Sequence, residues 1–179
     1  MKMHSLYVPV LALGLSLVGC ATTPKAPDVS DNIKKSLDEA GLKDVSITQD
    51  RDKGVVTLGG HVRSDAEKSQ ADSIARSFAR DQVVADQIAV LPPGAESTAK
   101  TVNSDLDKGI KNNLDAALVQ NRLKDTVDYD VKNGVVTLSG NVNSQAKRSQ
   151  VQSIAASVPN VQQVVNEVQV KNQRATSSQ

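Results

Sequence analysis

The stretch Gly54-Val55-Val56-Thr57-Leu58-Gly59-Gly60-His61-Val62 returns as Gly134-Val135-Val136-Thr137-Leu138-Ser139-Gly140-Asn141-Val142. The match continues without a gap from Gly54–Val90 to Gly134–Val170, with 18 identities in 37 positions. Ser69-Gln70 pairs with Ser149-Gln150, and Ser73-Ile74-Ala75 with Ser153-Ile154-Ala155. Upstream, Ile33, Leu37 and Ala40 align with Ile110, Leu114 and Ala117 at an offset of 77, which places about three extra residues before the first strand of the second copy. Two long copies predict paired small domains rather than a solenoid.

Each copy reads as α-β-β-α-β. The first helix carries apolar residues at Val29, Ile33, Leu37 and Ala40, and again at Leu106, Ile110, Leu114 and Leu118. That spacing is one stripe on a helix. Asp28 or Ser30 and Ser104 are the candidate N-caps. Alternation at Val45 and Ile47, and at Val127, Tyr129 and Val131, marks the first strand. Lys53-Gly54 and Asn133-Gly134 then sit between two strand patterns, which is a hairpin signal. Gly60 and Gly140 lie inside the second strand, where glycine marks a bulge or a close backbone approach. With Gly54 and Gly134 they form the structural set. Ser64 and Ser144 start the second helix, and Val83–Val90 and Val161–Val170 close each copy. A hairpin followed by a return across a helix predicts an α+β fold. Each unit is a three-stranded mixed sheet, covered on one face by two helices.

The domains are therefore placed at 28–90 and 103–171. Residues 91–102, with Pro92-Pro93-Gly94, read as a linker, and 172–179 as a disordered polar tail.

Val136-Thr137-Leu138-Ser139-Gly140-Asn141-Val142, then Ser144-Gln145-Ala146, then a helix and Pro159-Asn160-Val161 running to Val168, resembles the BON domain. Val56–Val62, Ser64 and Ala66 carry the same pattern in the first copy. The resemblance departs at two corners. Asn160 stands where the family often has glycine, a residue that visits the left-handed region. Ala79-Arg80-Asp81 has no Pro, Gly or Val, so that corner is a longer helix or a different turn. The family resemblance implies an envelope protein that interacts with phospholipid and takes part in stress resistance. The arrangement resembles the dual-BON lipoproteins of the bacterial envelope.

Composition agrees. The 179 residues carry 21 basic and 20 acidic side chains, with no Trp and an aromatic content of 2%. A net charge of +1 excludes the basic footprint of a nucleic-acid binder. The single Cys excludes an intrachain disulfide and a cysteine zinc cage. Few His leave nucleophilic catalysis without a base, and His61 falls on an outward strand position. Asp50 with Asp52, and Asp128 with Asp130, sit beside the turns without the spacing of a calcium loop. No metal or other cofactor is expected, apart from covalent lipid.

The first residues read as an address. Lys2 precedes an apolar run from Leu6 to Val18, too short for a membrane span and suited to a signal peptide at 1–19. Leu17-Val18-Gly19-Cys20 resembles the bacterial lipobox, which implies cleavage between Gly19 and Cys20 and diacylglycerol and N-acyl lipid, such as palmitate, on Cys20. Ala21 after the Cys implies the outer membrane, with the chain facing the periplasm. Residues 20–27 form the lipidated tether. Residues 28–92 carry 9 basic and 12 acidic side chains, and 103–172 carry 8 and 7. Lys108, Lys111, Lys147 and Arg148 are therefore the candidate contacts to anionic phospholipid. An envelope protein bound at a strand edge or the domain cleft is the alternative partner, with a chaperone-like holdase as a further class. The oligomeric state stays open.

Overall fold

The computed structural model describes residues 25–171. The elements run α1 (Ser30–Glu39), β1 (Val45–Asp50), β2 (Val55–Val62), α2 (Asp65–Ala79), β3 (Val83–Asp86), β4 (Ala89–Val90), α3 (Glu96–Gln120), β5 (Val127–Lys132), β6 (Val135–Val142), α4 (Gln145–Ala156), β7 (Gln163–Asn166) and β8 (Gln169–Val170). Each domain is an α+β unit, as expected. β1 and β2 pair antiparallel, and β2 and β3 pair parallel. β5, β6 and β7 repeat that arrangement.

The expected closing strand is broken in both copies. β4 continues alongside β2 in the register of β3, with His61 opposite Ala89. The break at Gln87-Ile88 lies opposite Gly59-Gly60. Gly60 has φ +84° and Gly140 has φ +114°. A Cβ on Gly140 would meet Thr126 O at 2.5 Å, and one on Gly60 would meet Asp44 O more closely still. The glycines thus mark a close backbone approach of the first strand to the central one, at the level where the closing strand is interrupted.

The core of each domain lies between one sheet face and its two helices. Ile33, Leu37, Leu58, Ala71, Ala75 and Ile88 are fully buried in domain 1. Ile110, Leu114, Leu118, Leu138, Val151 and Ala155 do the same in domain 2. Truncating one of the large aliphatics costs about 2–5 kcal/mol. Ser64 and Ser144 cap α2 and α4, each Oγ accepting from the backbone N–H three residues on at 3.3 Å.

The first helices differ from expectation. Leu42 N donates to Leu37 O, and Leu123 N to Leu118 O, each at 2.9 Å. The next turn has positive φ at Gly41 and at Arg122. Val29, Ile33 and Leu37 therefore match Ile110, Leu114 and Leu118, an offset of 81 rather than 77. The sequence alignment was one helical turn out, because a shift of four residues maps an apolar stripe onto itself. Leu106, assigned to the core stripe, is 44% exposed, and Val102 is 50% exposed. α3 begins at Glu96, so most of the segment read as linker is helix and Ser104 lies inside it.

The hairpins differ too. Asp50 faces Val55 across four turn residues, and Lys132 faces Val135 across two. Asn133 at φ 48° and Gly134 at φ 77° form the tight turn that their sequence implied. Asn160 takes the left-handed conformation with φ 67°. Its counterpart Arg80, at φ 52° and ψ −114°, follows an α2 three residues longer than α4. The open corner is thus both a longer helix and a different turn. An arginine there carries strain that glycine would not.

Candidate functional site

Gly19 and Cys20 lie outside the described residues, as does the tail 172–179. The end of the expected tether is described, and it is not free. Ala26 N donates to Arg51 O at 2.9 Å, and Arg51 Nε donates to Ala26 O at 2.8 Å. Gln49 Nε2 donates to Pro27 O at 2.7 Å, and Val29 N to Gln49 Oε1 at 3.1 Å. The chain from Ala26 onward is strapped to the end of the first hairpin. From Cys20 to that strap the chain reaches about 20 Å when fully extended.

The four candidate lipid contacts fall into different situations. Lys108 lies on α3 beside Asp105 at 3.0 Å, and Lys111 beside Asp130 at 3.4 Å. Both line one shallow hollow with Lys100, Asp107 and Asn133. These exposed pairs hold their cations weakly, at about 0–1 kcal/mol each. Lys147 stands in the first turn of α4, half-buried. Arg148 is turned inward: its Nε donates to Val168 O and its Nη2 to Asn166 O, each at 2.8 Å. It pins the β7–β8 break to α4, which leaves less of its guanidinium for a surface contact. The structure places Lys108 and Lys111 together, with Lys147 on another helix. Asp50 Oδ1 accepts from Asp52 N and Lys53 N at 3.0 Å, so this carboxylate closes its own turn. The Lys53 N–H bond in particular holds it below the usual carboxylate range.

The sequence reading missed the junction between the domains. Val55 and Ala85, on the sheet face without helices, meet Val135 and Val165 in a small apolar cluster. These are the same two positions in each copy. Lys53 Nζ reaches Glu167 Oε2 at 2.6 Å, where Glu167 is only 12% exposed, and Asn133 Nδ2 donates to Gln87 O at 2.8 Å. Lys53 corresponds to Asn133, and Gln87 to Glu167, so the two contacts are related by an approximate two-fold axis. Gln163 adds a one-sided contact. Its Oε1 accepts from Asp86 N at 3.0 Å and its Nε2 donates to Val84 O at 2.6 Å. Val84 and Asp86 turn these groups away from β2, because alternate residues of a parallel strand bond one neighbour. The amide of Gln163 thus occupies the free edge of β3 as a strand would. A signal for the junction existed. Val55-Val56, Val135-Val136 and Val164-Val165 are adjacent apolar pairs, which imply burial of both sheet faces.

A cleft of about 430 Å³ opens beside the junction, between α2 and the first half of α3. Lys68, Asp72 and Asp86 line one side, and Leu106, Asp107 and Asn133 the other. Burial pushes the Asp86 carboxyl above the usual carboxylate range, against the pull of Lys68.

Two αββαβ units, joined through matched surfaces, define a tandem-domain protein of one repeated fold. The BON domain model matches residues 26–92 and 106–172, and the chain belongs to the BON-domain family. It is similar to osmotically-inducible protein Y of Escherichia coli strain K12, at 30% identity over 146 residues, covering 80% of this chain and 71% of that protein. Among solved structures, it resembles two of CdsD, a structural protein of the type III secretion system of Chlamydia trachomatis. One, of the C-terminal domain, has 14% identity and a TM-score of 0.32, covering 79% of this chain and 67% of that one. The other has 19% identity and a TM-score of 0.35, covering 78% and 90%. Among the described residues, no helix is long and apolar enough to cross a membrane.

Proposed function

We propose that the chain is a non-catalytic envelope lipoprotein, acylated on Cys20 and held on the outer membrane facing the periplasm. Its BON domains contact anionic phospholipid peripherally and help maintain membrane integrity under osmotic stress. The observation that carries this reading is the combination of a lipobox-like ending at Cys20 with two BON domains. Likeness to an osmotically inducible protein supports the stress role. The short reach from Cys20 to the strap supports a fold kept near the lipid surface, where a basic contact contributes about 1 kcal/mol. Lys108, Lys111 and Lys147 would supply such contacts, and tethering raises their effective concentration.

The test uses residues 21–179, which carry neither the apolar signal run nor Cys20, so that neither masks weak binding. This chain is sedimented with phosphatidylglycerol vesicles and with zwitterionic vesicles, at low and physiological salt. Salt-sensitive pelleting with the anionic vesicles alone is expected, reduced several-fold by Lys111→Glu with Lys147→Glu. No pelleting at either salt would leave the acyl group as the sole membrane contact. The second reading, a protein adaptor or holdase, would then lead. Val102 and Leu106, exposed one turn apart on α3, favour it.

A further inference from the structure

In domain 2 the side chain of Asn166 is bonded at both ends. Its Oδ1 accepts from Val168 N at 3.1 Å. Its Nδ2 donates to Gln152 Oε1 at 3.1 Å and to Arg148 O at 3.2 Å. Domain 1 repeats this framework with other residue types. Asp86 Oδ1 accepts from Ile88 N at 3.1 Å, as Asn166 does from Val168. Lys68 Nζ donates to Ile88 O at 3.0 Å, as Arg148 does to Val168 O. Asp86 stands in the place of Asn166, and Asp72 in the place of Gln152. The amide nitrogen of domain 2 is thereby replaced by a carboxylate oxygen. Where domain 2 has an atom that donates twice, domain 1 has one that, when ionised, only accepts. Consistent with this, Asp72 Oδ1 is buried with no hydrogen-bond partner. Burying a polar atom unpaired is costly, so the missing hydrogen has a strong pull.

We propose that Asp86 and Asp72 form a proton-sharing pair, in which Asp86 Oδ2 takes a proton from solvent and donates it toward Asp72 Oδ1 or Lys68 O, tightening domain 1 at its junction with domain 2 on mild acidification. The groups facing the pair are Lys68 and Arg76 from α2, with Asp65 and Asp107 at the cleft rim. Lys68 Nζ lies 3.9 Å from Asp86 Oδ1, and Arg76 Nε 2.6 Å from Asp72 Oδ2. From β7, the neutral Gln163 meets the backbone of this strand at Asp86 N and Val84 O. Burial, with the Asp72 charge added, raises Asp86 against Lys68 and the Ile88 amide. A carboxyl raised on folding contributes stability that is full below its unfolded value and is lost as pH rises through its folded one. Asp86 sits on the strand whose edge Gln163 grips, so the proton bears on the junction as well as on domain 1.

The test is a carboxyl-carbon NMR titration and thermal melting of the full chain, with Asp86→Asn and Asp72→Gln. Asp86 is expected to titrate above the usual carboxylate range, and Asp72→Gln to lower its midpoint. Above the Asp86 midpoint, Asp86→Asn is expected to melt roughly 2–4 °C above the parent, with the gap closing as pH falls through that midpoint. An Asp86 that titrates at or below the usual range overturns the proposal, and so does an Asn variant that melts lower at neutral pH. A midpoint that falls steeply with added sodium or calcium overturns it as well, since a metal cation would then fill the gap.

Discussion

Domain 1 and domain 2 solve the same problem with different clamps. Both must hold a hairpin in which a positive-φ glycine of the central strand is closely approached by the backbone before the first strand. In domain 1 the strap Ala26–Val29 runs to Gln49 and Arg51 at the hairpin end. In domain 2 a helix does this work: Asp107 of α3 accepts from Asn133 N at 2.8 Å and from Gly134 N at 2.9 Å. The helix reaches that turn only because α3 has 25 residues where α1 has 10. The core is nearly the same in both, and the differences gather at turns, clamps and the junction. Packing between helix and sheet defines the domain, and its edges are free to specialise.

The glycine pair offers the largest test of that likeness. Gly60→Ala places a methyl group against Asp44 O with φ at +84°. The expected loss is about 3 kcal/mol or more, from strain and clash together. Gly140→Ala meets Thr126 O at 2.5 Å and is expected to cost somewhat less. Urea unfolding followed by amide NMR would report each domain separately. Equal and small losses would mean that the glycines are a shared inheritance with no steric role.

The junction comes next in size. Gln163→Ala removes two hydrogen bonds and leaves Val84 O and Asp86 N without a protein partner. About 1–2 kcal/mol is at stake, less where water replaces the amide. Domain 1 resonances should shift although the change is in domain 2. If domain 1 is unmoved and its stability unchanged, the two domains do not act on each other through this edge.

Much of this was legible in the residues. The repeat, the hairpins, the caps at Ser64 and Ser144, and the parallel return follow from period, turn chemistry and handedness. Three things were not. The register of the first helix is invisible to a pattern that repeats every turn, so Leu106 was assigned to the core and is exposed. The part Arg148 plays in the fold is also hidden, because a sequence does not show the carbonyls that its guanidinium meets. The adjacent valine pairs imply that a second sheet face is covered but not by what, since Val55, Ala85, Val135 and Val165 are non-contiguous in the chain. The candidate lipid contacts rest on charge alone, and charge has no period to betray which face it occupies.

The smallest test asks whether the approximate two-fold can be completed. Gln163 bridges two groups of the β3 edge, while its counterpart Val83 is 45% exposed and makes no such bridge. Around it, the paired contacts are already matched: Lys53 with Glu167, and Asn133 with Gln87. Val83→Gln should therefore carry an amide to Val164 O and Asn166 N on the edge of β7. The added bonds form near solvent and displace water, so a gain of about 0.5 kcal/mol is expected. Part of it is lost with the better strand propensity of valine. The measurement is slowed amide exchange at Asn166, read beside the melting temperature. Slower exchange with little change in melting would place the amide as argued. Unchanged exchange would show that the two edges diverge in geometry as well as in residue type, and that the symmetry of the junction stops at its apolar centre and the two turn contacts.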